Sequence, residues 1–463
     1  MKKALFLATL LALSMQAIAQ QPFRNGPLNV SANKRYIVHS DGTPFFYLGD
    51  TAWELFHRLN RSEADRYLKR RAEQGFTVIQ AVALAELDGL NTPNANGDKP
   101  LLNNDPTTPN EAYFKHVDYI IDKAAEYGLV IGLLPTWGDK VFKDNWGQGP
   151  QIFTGQNARA YGRWIGNRYK NRPNIIWIMG GDRNPREGSE DVAIWRSMAA
   201  GVQEGAGGPD KALMSFHPQP NATADGGSSK WFHQDSWLDF NMHQNGHCRD
   251  APVYAKIAVS YNRVPAKPTM DAEPIYEDHP VCFNAKDLGI SNALDVRKSA
   301  YLDLFSGAHG HTYGCHDIWQ MYSAGRESVN GARLNWTEAM ELTAANQMKF
   351  VRRLIQSRPM LDRVPDQSLV LESNYPPAER IQATRGNSYA FIYTAAGKPF
   401  TVNMGKISGK DVSTAWFDPR TGEVKDNGKL ANTGRQRFTP PTTDYGQDWI
   451  LIVDDSTKQY PAP

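Results

Sequence analysis

Asn174-Ile-Ile-Trp-Ile-Met-Gly-Gly-Asp182 is the stretch on which the fold turns. Residues 174–179 are a short apolar run that reads as a buried strand, and a carboxyl follows directly after two glycines. Helical periodicity precedes the run over 157–169 and returns over 191–202. A buried strand between amphipathic helices is the repeating unit of a parallel α/β protein.

The same unit recurs on both sides. Strands are expected at 45–48, 77–84, 129–134, 174–179, 213–216, 240–243, 268–271 and 308–313. Helices are expected at 61–73, 111–127, 157–169, 191–202, 252–261, 292–305 and 336–356, with Gly75 and Gly128 ending the first two. Eight such units over about 310 residues describe a (β/α)8 TIM barrel with loop insertions. The alternative is an open doubly wound sheet, but no glycine-rich phosphate loop follows the first strand.

From about Met360 the pattern changes. Short strand-like segments at 368–372, 380–384, 388–394, 400–404, 412–417 and 447–453, separated by turns such as Asp418-Pro-Arg-Thr-Gly422, predict a small antiparallel β-sandwich. The linker over 358–365 is short, so this domain should pack on the barrel. At the other end, Lys2 and Lys3 precede an apolar run over 4–13, and Ala17-Ile18-Ala19 fits the small-x-small rule of signal peptidase. The expected organisation is a signal peptide at 1–19, a barrel at 20–358 and a C-terminal β domain at 359–463. Such a protein is exported, to the periplasm or beyond. No other stretch has the ~20 apolar residues of a membrane span.

Composition narrows the partners. Of 463 residues, 41% are hydrophobic and 22% charged, and the net charge of +2 gives no reason to expect nucleic acid. Aromatic residues make up 11%, with 12 Trp and 19 Tyr, which suits an enzyme that stacks sugar rings. The expected partner is a polysaccharide or oligosaccharide, met by a monomer. Cys248, Cys282 and Cys315 match no zinc motif; they read as buried or incidental thiols, with one bridge as the alternative.

Barrel enzymes do their chemistry at the C-terminal ends of the strands. In this chain those positions hold Asp50 with Trp53, Gln80, Trp137, Asp182, His217, His243, Glu273, and His309 with His311. Trp53, Trp137 and Trp319 are candidate stacking platforms, and the histidines candidate partners for sugar hydroxyls. Asp182 and Glu273 follow the fourth and seventh strands, which face each other across part of the mouth. Cleaving a glycosidic bond takes two such carboxyl groups, one to protonate the leaving oxygen and one to attack or to activate water. Neither a metal nor an organic cofactor is then required.

Carboxylates after strands four and seven are the layout of the clan A glycoside hydrolases. More narrowly, Tyr47-Leu-Gly-Asp-Thr-Ala-Trp53, Ile176-Trp-Ile-Met-Gly-Gly-Asp-Arg-Asn184 and Asp271-Ala-Glu-Pro274 resemble the apiosidases of glycoside hydrolase family 140 and their cellulase-like relatives. The trailing β domain resembles the one this group carries, labelled collagen-binding. The resemblance implies Asp182 as acid/base, Glu273 as nucleophile, and action on the apiose-linked side chains of rhamnogalacturonan II pectin. This chain departs from the clan in having Gly181-Asp182 where most members have Asn-Glu, so its acid is one methylene shorter.

Two rival readings use the same residues. A metal-dependent amidohydrolase barrel would place His217, His243 and Asp317 on a metal, yet it also needs a His-x-His after strand one, where this chain has Leu48-Gly49-Asp50. A non-catalytic carbohydrate-binding barrel would keep the aromatics and lose a carboxylate, and both carboxylates are present.

Overall fold

A computed structural model describes residues 23–144, 146–220, 227–372 and 375–463; the expected signal peptide lies outside them. Eight parallel strands run in sequence around one sheet: Tyr47–Thr51, Val78–Val82, Val130–Leu134, Ile175–Gly180, Met214–His217, Asn241–Gln244, Thr269–Glu273 and Gly310–Tyr313. The eighth pairs with the first in parallel register, Gly310 opposite Tyr47. At the seam between the fifth and sixth strands, the Asp239 N–H donates to the Met214 carbonyl (2.9 Å) and Ser215 Oγ donates to the Phe240 carbonyl (2.6 Å). The result is the (β/α)8 barrel.

Alternation along the strands fills its interior. Tyr47, Val78, Val82, Val130, Leu134, Ile176, Ile178, Met242 and Met270 point inward and pack together. A three-stranded antiparallel sheet (Leu28–Val30, Ile37–His39 and Pro44–Phe45) adds Leu28, Ile37 and Phe45 to that cluster. The expected first strand at 45–48 therefore straddles two elements: Phe45 ends this small sheet and Tyr47 begins the barrel.

The helices outside start and stop on local chemistry. Asn60 with Glu63, and Asn292 with Asp295, form reciprocal capping boxes at the starts of Arg61–Glu73 and Ala293–Phe305. The single helix expected over 336–356 is two, Trp336–Ala339 and Thr343–Gln356. The break has a visible cause: the buried carboxylate of Glu277 accepts from the Ala344 and Ala345 N–H groups and caps the second helix from another part of the chain.

The C-terminal unit is antiparallel. Six strands lie in the order Val364–Pro365, Ile381–Arg385, Tyr389–Thr394, Trp449–Asp455, Asp411–Phe417, Val424–Ala431. Phe400–Asn403 and Arg435–Phe438 form the facing pair, and Phe400, Trp416, Phe438 and Leu451 fill the space between. The segment expected as a strand at 368–372 is instead a 3-10 turn, Gln367–Leu369, followed by a single bridge from Val370 to Val402. The other face of the large sheet packs on the barrel. Tyr393 stacks on Tyr301 (5.2 Å) and Phe391 on Phe305 (6.0 Å), while Arg297 makes a bidentate, buried pair with Asp448. Helix Ala293–Phe305, sandwiched this way, is buried on all sides. Among the described residues no helix is long and apolar enough to cross a membrane.

Candidate active site

The C-terminal ends of the strands surround a cavity of about 770 Å³. Asp182, Glu273, Trp53, Trp137 and Trp319, all anticipated from sequence, line it. Asp182 gets there by an unusual route. Gly180, Gly181 and Asp182 all have positive φ (88°, 114° and 52°), and a Cβ on Gly180 would sit 2.3 Å from the His217 carbonyl. The double glycine turns the chain sharply off the fourth strand so that the aspartate faces back over the mouth. Glu273 needs a different device. A register irregularity between Asp271 and Glu273 interrupts the alternation, so Asp271 points outward to Asn245 (2.6 Å) while Glu273 enters the cavity.

The two carboxyls sit in opposite electrostatic settings. Burial, reinforced by the Glu273 charge, pushes Asp182 up to about 6, against the opposing pull of Arg183. Trp146 Nε1 donates to Asp182 Oδ2 at 2.6 Å. Burial would raise Glu273 as well, but two imidazoles outweigh it: His217 Nε2 lies 3.2 Å from Oε2 and His247 Nε2 3.3 Å from Oε1, holding Glu273 down at about 2. The Asp182 N–H meets His217 Nδ1 at 3.5 Å, which leaves Nε2 to carry the proton facing Glu273. His217 is fully buried against Trp53 (5.2 Å, edge-on) and serves Glu273 from beneath instead of lining the cavity.

The remaining sequence candidates stay out of the cavity, because strand alternation turns them away or leaves them too deep. Asp50 points outward to the helix Arg61–Glu73, where Arg71 Nε donates to it (2.5 Å) and Tyr67 also bonds it. Gln80 lies inside the barrel, donating to the Ala272 carbonyl (3.0 Å) and accepting from Tyr47. His243 contacts Ser260 Oγ (2.7 Å), His311 faces Asp303 (3.1 Å), and His309 faces the Thr269 carbonyl (3.0 Å). Burial pushes these three imidazoles down, to about 3 for His243 and about 4 for the other two, so they pack as neutral rings. Asp317 accepts from the Arg333 and Leu334 N–H groups. His217, His243 and Asp317 thus do not converge on one point, and among the described residues no group of three or more His, Cys, Asp or Glu is placed to hold a metal ion.

Glu86, Trp146 and His247 escaped the sequence reading, and a disulfide joins Cys248 to Cys282, the alternative that reading left open. The bridge corrects the expectation of unpaired thiols. Strands six and seven are adjacent in the barrel, so their following loops meet although the cysteines are 34 residues apart. The Cys282 N–H also donates to the His247 carbonyl (2.9 Å), so the cross-link fixes the loop carrying that imidazole. Cys315 is free and buried.

A closed barrel with paired, oppositely tuned carboxyls after strands four and seven defines a glycoside hydrolase. The chain belongs to the family described as "Apiosidase-like, catalytic domain", whose model matches residues 31–362. Residues 364–454 match "Putative collagen-binding domain of a collagenase". Among solved structures, one titled "Glycoside hydrolase" is 34% identical over 95% of this chain and 99% of its own, with a TM-score of 0.86. A glycoside hydrolase family 5 structure from Bacteroides vulgatus ATCC 8482 is 33% identical over 95% of this chain and 96% of its own, with a TM-score of 0.87. No curated protein sequence matches.

Proposed function

We propose that this chain is a retaining glycosidase in which Asp182 is the acid/base and Glu273 the nucleophile, acting on apiose-linked side chains of rhamnogalacturonan II pectin. One observation carries the reading: two carboxyls face the same cavity, Asp182 raised to about 6 and Glu273 lowered to about 2. Such a pair is sorted into a proton donor and an anion before substrate arrives.

The Asp182 carboxyl gives its proton to the glycosidic oxygen as the bond to the anomeric carbon breaks. Glu273 attacks that carbon and forms a glycosyl ester. Esterification cancels the Glu273 charge, one of the causes that raised Asp182, so the Asp182 carboxylate is now the more stable form. It takes a proton from water as the water attacks, which frees the sugar and restores both groups. Trp53 and Trp137, packed 5.1 Å apart, offer apolar surface to a sugar ring.

The apiosidase-like family match and the short acid on its Gly180-Gly181 turn support a compact, branched pentose as substrate. Export is part of the proposal, and the Cys248–Cys282 bridge supports an oxidising compartment such as the periplasm.

The test is hydrolysis of pectic oligosaccharides by the wild type and by Asp182→Ala and Glu273→Ala variants, with EDTA throughout. Apiose at the reducing end of the product, with both variants losing most turnover, supports the proposal. Turnover abolished by EDTA, or retained by either variant, sinks it.

A further inference from the structure

A third carboxyl, that of Glu86, lines the cavity alongside Asp182, Trp137 and Trp146. Neither of the two catalytic roles needs it, yet the backbone to either side of it is anchored. The Leu87 N–H donates to the buried carboxylate of Glu54 (3.0 Å), Lys140 Nζ donates to the Ala85 carbonyl (2.6 Å), and the Trp137 N–H donates to the Leu84 carbonyl (3.0 Å). This rigid mount presents a carboxyl that has no hydrogen-bonding partner among the described residues. Glu86 is half-buried in the cavity wall, so its free carboxyl is open to a hydrogen-bonding group of whatever enters.

Two features say which ligand group it meets. The Trp137 N–H donates to the Leu84 carbonyl and the Gly138 N–H to the Gly181 carbonyl (2.9 Å), so the loops after strands two, three and four are laced together and Glu86 stands on the Asp182 side of the cavity. Burial, and then the charges of Asp182, Asp139 and Glu54, hold its proton well above the ordinary carboxylate range, so it offers both an O–H donor and a carbonyl acceptor. A sugar hydroxyl, itself donor and acceptor, complements that pair.

We propose that Glu86 binds a hydroxyl of the sugar on the leaving-group side of the scissile bond and so sets which glycosides are cleaved. The proposal rests on the assignment of Asp182 as the proton donor.

The experiment compares wild type, Glu86→Ala and Glu86→Gln on two substrates: an apiosyl disaccharide, and 4-nitrophenyl apioside, whose leaving group has no sugar hydroxyls. The expected result is that Glu86→Ala loses about tenfold more kcat/KM on the disaccharide than on the aryl glycoside, while Glu86→Gln, which keeps a donor and an acceptor, recovers most of the difference. Equal losses on both substrates overturn the proposal, since they mean a structural or general electrostatic role. An alkaline limb displaced by Glu86→Ala without discrimination between the leaving groups overturns it as well. A wild type that cleaves neither substrate defeats the functional assignment itself and takes this proposal with it, whereas the other two outcomes leave that assignment standing.

Discussion

Trp146 Nε1 donates a 2.6 Å hydrogen bond to Oδ2 of Asp182, so an indole on a cavity loop holds the proposed acid in place. The same indole stacks on the Arg183 guanidinium at 4.7 Å, and Arg183 donates to the carbonyls of Asp182 (2.6 Å) and Trp146 (2.5 Å). Arginine, indole and carboxyl therefore form one cross-braced unit. The hydrogen bond favours the ionised form of Asp182 and partly offsets the burial and the Glu273 charge that raise it.

Removing that bond should raise Asp182 further. In Trp146→Phe the alkaline limb of kcat/KM should move up by about one pH unit, the size expected for one charge-assisted hydrogen bond. kcat should fall as well, because the carboxyl loses its orientation. A pH profile of the variant checks both, and an unmoved limb shows that Trp146 does not control the acid.

Wild-type activity should itself follow the two carboxyls. The active form has Asp182 protonated and Glu273 ionised, so kcat/KM should be flat between the two values and fall as pH rises through about 6. Glu273→Gln removes the charge that raises Asp182. That variant should be nearly inactive, and a titration of Asp182 by NMR should show its pKa lowered. A raised or unchanged value would mean that the two groups do not interact.

The Cys248–Cys282 bridge closes a loop of 34 residues, and its loss should cost about 3 kcal/mol of stability. The functional effect is separable. His247, next to Cys248, is one of the two imidazoles that hold Glu273 down. With that loop loosened, Glu273 should rise toward its ordinary value, and the acid limb should move to higher pH. Cys248→Ser/Cys282→Ser, assayed below its Tm, should show the displaced limb. A lower Tm with an unchanged pH profile would mean that the bridge is structural alone.

How much of this was legible beforehand depended on what each feature needs. The barrel strands Val130–Leu134 and Ile175–Gly180 were readable because they are apolar on both faces. Val424–Ala431 and Arg435–Phe438 were not, because their side chains are mostly exposed and carry little hydrophobic pattern. At the site, a residue's distance past its strand was visible, but its direction was not. Asp50 and His243 stand near strand ends yet turn outward, while Glu273 turns inward only because of an irregularity that no residue pattern announces. Trp146, His247 and Glu86 come from loops, whose paths depend on tertiary contacts such as the Cys248–Cys282 bridge.

Barrel and β domain should behave as one folding unit. Arg297 and Asp448 are both buried, and Tyr393 also donates to Asp448 (3.3 Å). Arg297→Ala leaves Asp448 buried without its counter-charge, at a cost of about 3–5 kcal/mol. Truncation at residue 362 would also expose the faces of Tyr301 and Phe305 now stacked on Tyr393 and Phe391. The truncated chain should therefore aggregate, and Arg297→Ala should melt in a single transition at lower temperature. Two separate transitions in the calorimeter would show that the units fold independently.

Gly181 offers the sharpest separation of site from scaffold. Its φ of 114° is strained for any other residue, and a Cβ there would lie 2.8 Å from Trp137 and 3.0 Å from the Gly138 nitrogen. The fourth strand ends one residue earlier, at Gly180, and only one further ladder bond, from the Gly181 N–H to the His217 carbonyl (2.9 Å), passes through this position. Gly181→Ala should thus cost only about 1–3 kcal/mol, taken up by displacing the turn. The displaced turn carries Asp182, and a shift of about 1 Å in a catalytic group is enough to cost about a hundredfold in rate. The variant should keep its circular dichroism spectrum and lose most of its kcat on the pectic oligosaccharide. Its loss on 4-nitrophenyl apioside should be smaller, since that leaving group depends little on protonation by Asp182. Equal losses on the two substrates would mean that the Gly180-Gly181 turn positions something other than the acid.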